Sequence, residues 1–230
     1  MRMPVMTESL SALLQLASPT LPVGAFSYSQ GFEHAIDSGE ITDASSARGW
    51  IEDCIALVMP RFELPLFMAL HSACARNDVD TVVRLDERFL ASRDTRELRA
   101  ETIQMGYSLH RLLVDLEFRH AVIDEDGARS WPAMFACACV LMKVDLRAGA
   151  TAYVYAFAEN QVLVALKSIP LGQVAGQRLL LGLHAVIATG VDAALANAHA
   201  FDIDTLASSA PRLSWHSARH ETQYSRLFRS

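Results

Sequence analysis

The stretch that decides the fold is LRAETIQMGYSLHRLLVDL, residues 98–116. Steps of four and three residues separate Leu98, Thr102, Met105, Leu109, Leu112 and Leu116. This spacing places one continuous stripe along an α-helix that packs against neighbouring helices. Asp94, with Glu97 three residues later, resembles a capping box and predicts where this helix begins.

Helical spacing continues on both sides of this stretch. A second stripe, which Pro60 is expected to end, consists of Ala47, Trp50, Ile51, Cys54 and Val58. Pro65 suits the first turn of the following helix, and Asn77 or Asp78 is a suitable cap for the one after it. The best turn signal in the chain is DEDGARSWP at 124–132.

The second half of the chain is more apolar. Residues 133–142 and most of residues 151–166 are apolar on every side, which predicts helices buried by other helices. Residues 171–198 predict one long helix, and no segment outside 151–157 has the alternation of a strand. We therefore predict an all-α single-domain bundle of about seven to ten helices at 1–207, with a flexible basic and aromatic C-terminal tail at 208–230.

Composition and charge exclude several classes of protein. The chain has 230 residues, of which 51% are hydrophobic, and its net charge is −6. No long basic stripe exists, so nucleic-acid binding is not expected. No apolar run reaches the length of a membrane span, and the first 18 residues make a poor signal peptide. The four cysteines form no CxxC pair. We expect a cytoplasmic protein with reduced core thiols.

The sequence contains no recognisable catalytic motif. PVGAFSYSQG at 22–31 and LGQVAGQ at 171–177 contain glycines, but neither has the Lys-Ser/Thr of a phosphate loop. No GxSxG nucleophile elbow occurs. His216 and His220 are four residues apart and are weak candidates for metal ligands, because spacing supplies no third ligand. We therefore expect no catalytic residues and no directly bound cofactor.

Two sets of polar residues stand out in apolar surroundings. Asn160 and Lys167 interrupt one apolar helix, and Gln173, Gln177 and Arg178 follow at the start of the next. Burying such groups costs free energy unless they are hydrogen-bonded. Two interpretations remain open: a satisfied network within the core, or a surface kept for a partner.

The C-terminal end, ARHETQYSRLFRS at 218–230, combines arginines with large apolar side chains. From residue 208 onward, four arginines against Glu221 give a charge of +3, which leaves −9 for the rest of the chain. Tyr224, Leu227 and Phe228 would share one side of a helical turn. We expect this tail to be mobile and to become ordered on a partner. The alternative is that it docks on its own acidic body.

Four stretches of the chain resemble the UreF family of urease accessory proteins. They are LLQLASPTLPVGAFSYSQGFEHAI at 13–36, SRDTRELRAETIQMGYSLHRLL at 92–113, ENQVLVALKSIPLGQVAGQRLL at 159–180 and RHETQYSRLFRS at 219–230. They occur in the family's order and cover about a third of the chain. Residues 115–158 carry no such motif.

The resemblance implies a non-catalytic, helical, dimeric adaptor. Such proteins bind a UreD (UreH)-type scaffold and a UreG-type GTPase, and the complex delivers nickel to apo-urease, so that nickel and GTP are handled by partners. Scaffold binding is expected at the tail, through His220, Glu221, Tyr224, Arg226, Leu227, Phe228 and Arg229. GTPase binding is expected through Lys167, Gln173, Gln177 and Arg178.

Two other functions remain possible from the sequence. One is a helical enzyme or ligand-binding protein with an interior pocket near Asn160 and Lys167. The other is direct nickel carriage by His216, His220 and Glu221, because imidazole suits Ni(II). A closed polar pocket would favour the first, and a third correctly placed ligand would favour the second.

Overall fold

The structure, a computed structural model, describes residues 5–124, 129–197 and 210–230. Within these ranges ten α-helices of six or more residues form one bundle, and no residue lies in a β-strand. The all-α prediction is confirmed. The turn predicted at 124–132 lies partly outside the described residues.

The helices follow one another with short connections. They are α1 (Val5–Ala17), α2 (Phe32–Asp37), α3 (Ala44–Leu57), α4 (Leu64–Ala75), α5 (Val79–Ala91), α6 (Arg96–Asp115), the one-turn α7 (Ala121–Asp124), α8 (Trp131–Leu141), α9 (Leu146–Ser168), α10 (Gln173–Ala196) and α11 (Pro211–His220). A 3-10 turn at Ala25–Ser27 precedes α2, and a π-helical turn at Met59–Glu63 joins α3 to α4.

The core lies where α4, α8 and α9 meet. Helix α8 is apolar on every side because α4 and α6 cover it, and eight of its eleven residues are buried. The rings of Phe67, Phe135 and Tyr153 pack together at this centre, with centroids 5.3–6.2 Å apart. Aromatic packing of this kind stabilises a core beyond the area that it buries. Helix α10 covers the other side of α9.

Helix α6 confirms most of the predicted stripe. Leu98, Thr102, Met105 and Leu109 are buried, whereas Leu116 is exposed because the helix ends before it. The cap differs from the prediction. Thr95, rather than Asp94, is the N-cap, and its hydroxyl accepts a hydrogen bond from Leu98 N at 3.2 Å.

Pro60 does not end a helix as the sequence predicted. The π-helical turn carries the chain past Pro60 and directly into α4, which then begins with Pro65 in its first turn, as expected. Proline lacks an N–H donor, and the wider turn accommodates its missing hydrogen bond. At the next junction Asp78, rather than Asn77, caps α5.

Two helical stretches are long and apolar enough to cross a membrane by length and composition alone, namely Ala44–Ala75 and Gln173–Ala196. The apolar window of the first is 67% buried within the bundle, as expected for a core helix. The second has polar residues on its exposed face, including Gln177, Arg178 and Asp192. A membrane span would place such groups in lipid at a high free-energy cost.

Candidate partner-binding site

The C-terminal segment, defined here as residues 211–230, is docked on the bundle. Helix α11 packs against α2, and the residues after it lie between α2 and α6. Phe228 and Ser230 are buried. The predicted flexible tail is therefore corrected, because its hydrogen-bond donors meet carboxylates of the acidic body. This is the alternative arrangement that the charge imbalance allowed.

Glu33 of α2 is the main acceptor for this segment. Its Oε1 accepts from the backbone N–H of Leu227 at 2.5 Å, and its Oε2 accepts from the backbone N–H of Phe228 at 3.1 Å. The same Oε2 lies 2.9 Å from His220 Nε2. One buried carboxylate thus satisfies two backbone donors and contacts an imidazole, which fixes the course of the chain after α11.

Glu97 in the first turn of α6 is the second acceptor. Its Oε2 lies 2.7 Å from His220 Nδ1, and its Oε1 accepts from the Arg226 guanidinium at 2.5 Å. His220 is fully buried and has a carboxylate at each ring nitrogen. The imidazolium form suits this position, because it donates from both nitrogens. In addition, Glu221 accepts from the backbone N–H of Glu97 at 3.1 Å.

The last residues insert beside the turn that precedes α2. The backbone oxygen of Ser230 accepts from Ser29 N at 2.8 Å and also from the Ser29 hydroxyl. Arg229 N donates to Ser27 O at 2.8 Å. The Ser230 hydroxyl donates to Glu101 Oε2 at 2.6 Å, and Gln30 donates to the other oxygen of that carboxylate. The segment therefore joins the 27–30 turn to α6.

Burial raises the pKa of Glu101 to about 7, although hydrogen bonds from Ser230 and Gln30 lower it in part. The unfolded chain ionises this group near pH 4.5. The folded state therefore binds the extra proton, and its stability falls as the pH rises from about 4.5 to 7.

Glu101→Gln removes this dependence, since glutamine keeps the shape and does not ionise. We expect the variant to gain about 2 kcal/mol of unfolding free energy over the wild type at pH 8. The gain should be much smaller at pH 4.5. Urea unfolding at the two pH values measures it. An equal loss of stability at both would show that ionisation is not what matters at Glu101.

The outer face of the segment carries large apolar side chains. Tyr224 is fully exposed and Leu227 is 70% exposed, whereas Phe228 points inward. The predicted helical turn that would place all three on one side is absent, because residues 221–230 form turns whose N–H groups bond to Glu33 and Ser27. Arg226 is paired with Glu97, so it is not a free cation for an acidic partner.

His216 does not form part of a metal centre. Its ring is buried between Glu40 Oε2 at 2.7 Å and His34 Nδ1 at 3.0 Å. His220 contacts a different pair of carboxylates. Residues 5–124, 129–197 and 210–230 contain no group of three histidine, cysteine or acidic side chains arranged to hold a metal ion. The structure therefore gives no support to direct nickel carriage by His216, His220 and Glu221.

The polar residues of α9 hold the turn before α2 in place. Asn160 Nδ2 donates to Tyr28 O at 2.9 Å, and Gln161 Nε2 donates to Ser29 O at 3.2 Å. The ammonium of Lys167 lies 3.4 Å from Phe26 O and 5.3 Å from the centre of the Phe228 ring. Gln173, Gln177 and Arg178 are exposed at the start of α10. Both interpretations of the polar sets are thus partly right.

The interior pocket expected near Asn160 and Lys167 is small. Asn160 lines a cavity of about 70 Å³, which Lys167 does not reach. Glu63, Arg93 and Tyr153 also line it and bond to one another. The volume is sufficient for a few water molecules, whereas ligand pockets usually measure about 300–1,000 Å³. The cavity does not favour an enzyme or a small-molecule receptor.

Sequence reasoning missed the carboxylates that hold the segment, namely Glu33, Glu97 and Glu101. One signal was present. Glu101 lies on the apolar stripe of α6, between Leu98 and Met105, and an acidic residue there is buried and needs a partner. Its partner could not be identified, because Ser230 is 129 positions away in the chain.

Comparison with known proteins assigns the chain to a family. The family model for UreF matches residues 41–184. Urease accessory protein UreF of Cupriavidus necator is 47% identical over 227 residues, which cover 97% of this chain and 98% of that protein. The UreF proteins of Delftia acidovorans and Ralstonia pickettii are each 46% identical, over 97% and 96% of this chain and 98% and 97% of their own lengths. The chain belongs to the UreF family of urease accessory proteins.

Proposed function

We propose that this protein is a non-catalytic adaptor. It links a UreD (UreH)-type scaffold to a UreG-type GTPase and regulates GTP-dependent nickel insertion into apo-urease. Its membership of the UreF family supports a role in urease maturation. Nickel and GTP are handled by the partners, in keeping with a sequence that has no lysine-bearing phosphate loop. The proposed setting is the cytoplasm, with no nucleic acid or membrane involved.

The observation that carries the proposal is the pair of exposed side chains on the docked segment. Tyr224 and Leu227 face solvent, while the backbone N–H of Leu227 is bonded to buried Glu33. Large apolar side chains that are already held in place can bind a partner without a further ordering cost. Tyrosine is also enriched among the residues that dominate binding energy at interfaces. We assign this face to the scaffold.

The start of α10 is the proposed GTPase-binding surface. Gln173, Gln177 and Arg178 are exposed there beside Val174, which is 65% exposed. An apolar side chain among polar neighbours is typical of an interface. Lys167 lies at the end of α9, just before this surface, and is also exposed. Further exposed apolar residues of α10, such as Leu181, are available for the proposed homodimer.

The scaffold assignment is tested with the double variant Tyr224→Ala/Leu227→Ala. Both side chains project from the folded protein, so we expect an unchanged melting temperature and helix content. Loss of two interface anchors should weaken retention of the UreD-type scaffold by about 30-fold or more. Calorimetric titration of the purified scaffold into each protein measures this affinity.

The matched control is Tyr107→Ala/Leu116→Ala, which removes the same two residue types from exposed positions of α6. It should bind the scaffold as the wild type does. Full affinity in Tyr224→Ala/Leu227→Ala would exclude the outer face of the segment as the scaffold site. An equal loss in both double variants would show a general effect of surface truncation.

The GTPase assignment predicts a separate phenotype for Lys167→Ala. The ammonium is exposed and its contacts are long, so we expect a stability loss below about 1 kcal/mol. Urease activation in cells should nevertheless be lost, with scaffold binding retained. A lowered melting temperature would instead assign Lys167 to the structure of the 26–30 turn.

A further inference from the structure

The joint between α2 and α11 contains two histidines in direct contact. His34 Nδ1 and His216 Nδ1 are 3.0 Å apart, and the rings are tilted at 55° with their centres 5.2 Å apart. The His216 ring is fully buried. Such a contact requires one proton between the two nitrogens, because one of them must donate and the other accept.

The protonation of the pair follows from its neighbours. His216 Nε2 faces the carboxylate of Glu40 at 2.7 Å, so this nitrogen carries a hydrogen. In the neutral ring, His216 Nδ1 is then the acceptor, and His34 Nδ1 is the donor. His34 can take up a first proton at its other nitrogen without losing the contact. A second proton, on His216 Nδ1, would place two N–H groups against each other.

We propose that the His34–His216 pair is an acid-sensitive joint that releases α11 from α2 when the second proton binds. The rest of the C-terminal segment behaves differently. His220 lies between Glu33 and Glu97, where a positive charge is stabilised. Acid therefore opens the joint at His216, while residues 220–230 stay attached to the body.

The charged groups around the pair agree with this direction. His34 faces His216, Arg219 and His220 of α11, together with Asp37 of its own helix. His216 faces Glu40 and Arg212, and Arg212 is also paired with Asp53 of α3. Around His34 the listed cations outnumber the single acid. Around His216, Glu40 favours the charged ring, whereas burial and Arg212 oppose it.

The pKa values of both rings are shifted in the same direction. Burial, followed by the neighbouring His216 and Arg219, lowers the pKa of His34 despite Asp37. Burial also lowers the pKa of His216, although the hydrogen bond with Glu40 raises it in part. The docked state therefore binds fewer protons than the released state. Docking is complete above pH 6.5 and weakens as the pH falls below it.

Hydrogen–deuterium exchange of residues 215–219, corrected for the intrinsic effect of pH, tests the joint. An isolated helix as short as α11 is unstable, so these amides lose protection when it detaches. We expect protection to fall by about tenfold between pH 6.5 and 5.5 for one extra bound proton. The amides of Leu227 and Phe228, and those of α5, should change little over this range.

His34→Gln supplies an amide that can bond to His216 Nδ1 but does not titrate. In this variant the protection of residues 215–219 should no longer depend on pH. His184→Gln, at an exposed histidine of α10, should keep the wild-type response. Constant wild-type protection from pH 7.5 to 5.5 would overturn the proposal, and so would an equal fall in His34→Gln.

Imidazole nitrogen shifts of the wild-type protein provide a second measurement that needs no substitution. The resonances of His34 and His216 are expected to titrate below pH 6.5, together with the loss of α11 protection. If both rings become fully protonated while residues 215–219 stay protected, the pair is not the joint that holds α11.

Discussion

Gly31→Ala is expected to detach α11 from the bundle and leave the other helices folded. Gly31 has a φ of +81°, and a Cβ added there would lie 2.7 Å from Ser217 N and 3.1 Å from two further backbone atoms of α11. Backbone atoms cannot rotate away from such a contact, so α11 must move. The positive φ adds a strain of about 1–2 kcal/mol.

Limited trypsin digestion measures this release, because Arg212 and Arg219 lie within α11. Local opening exposes a cleavage site in proportion to its population. We expect cleavage at these two arginines to accelerate by about 30-fold or more, which corresponds to about 2 kcal/mol of lost docking free energy. Far-UV circular dichroism should retain most of its helical signal.

Gly39→Ala is the matched control for this substitution. Gly39 has a φ of +77°, close to that of Gly31, but no atom lies within 4 Å of an added Cβ. The control therefore carries the backbone strain without the collision. Equal cleavage at Arg212 and Arg219 in the two variants would mean that α11 does not pack on Gly31.

Glu33→Ala is expected to have a comparably large effect on the other half of the segment. The substitution leaves the N–H groups of Leu227 and Phe228 without an acceptor, and His220 without one of its two carboxylates. A buried donor that loses its partner costs about 1–3 kcal/mol. The segment should open to water, because opening costs less than keeping these donors buried.

Two consequences are measurable for Glu33→Ala. Trypsin should cleave at Arg226 and Arg229, and affinity for the UreD-type scaffold should fall as in Tyr224→Ala/Leu227→Ala. Glu52→Ala is the control, because Glu52 makes a surface ion pair with Arg48 on α3, which contributes little stability. Full scaffold affinity in a Glu33→Ala protein whose segment is cleaved would show that docking is not needed for binding.

Much of the bundle could be predicted because helical signals are local. The stripe of α6 and the uninterrupted apolar character of α8 depend on residues within a few turns of each other. The two features that were predicted wrongly are also local but nearly balanced. Asp94 and Thr95 are both suitable caps, and Asp94 instead accepts a hydrogen bond from Ser214 of α11. Pro60 ends many helices, but a π-helical turn accommodates it here.

The docked segment could not be predicted in the same way. Glu33 and Phe228 are 195 positions apart, so no spacing in the sequence connects them. The charge imbalance between tail and body allowed docking but did not identify which carboxylates accept. The apolar side chains were also misleading, because their helical spacing holds only if residues 224–228 form a helix. Their N–H groups bond to Glu33 instead.

The structure changes how the C-terminal segment is expected to work. A flexible tail would lose about 2–5 kcal/mol of binding free energy when it becomes ordered on a partner. A segment that is already docked avoids this loss, and it presents Tyr224 and Leu227 in a fixed arrangement. Its inner side chains, Phe228 and Ser230, then contribute to the fold rather than to the interface.

The central claim is that residues 211–230 are docked in the isolated protein, and backbone ¹⁵N relaxation of Leu227 and Phe228 tests it most directly. Both amides donate to Glu33, so their order parameters at pH 7.5 should be close to about 0.85, the value of rigid backbone. Values below about 0.6, with the helices of the bundle still rigid, would show a flexible tail and contradict the account.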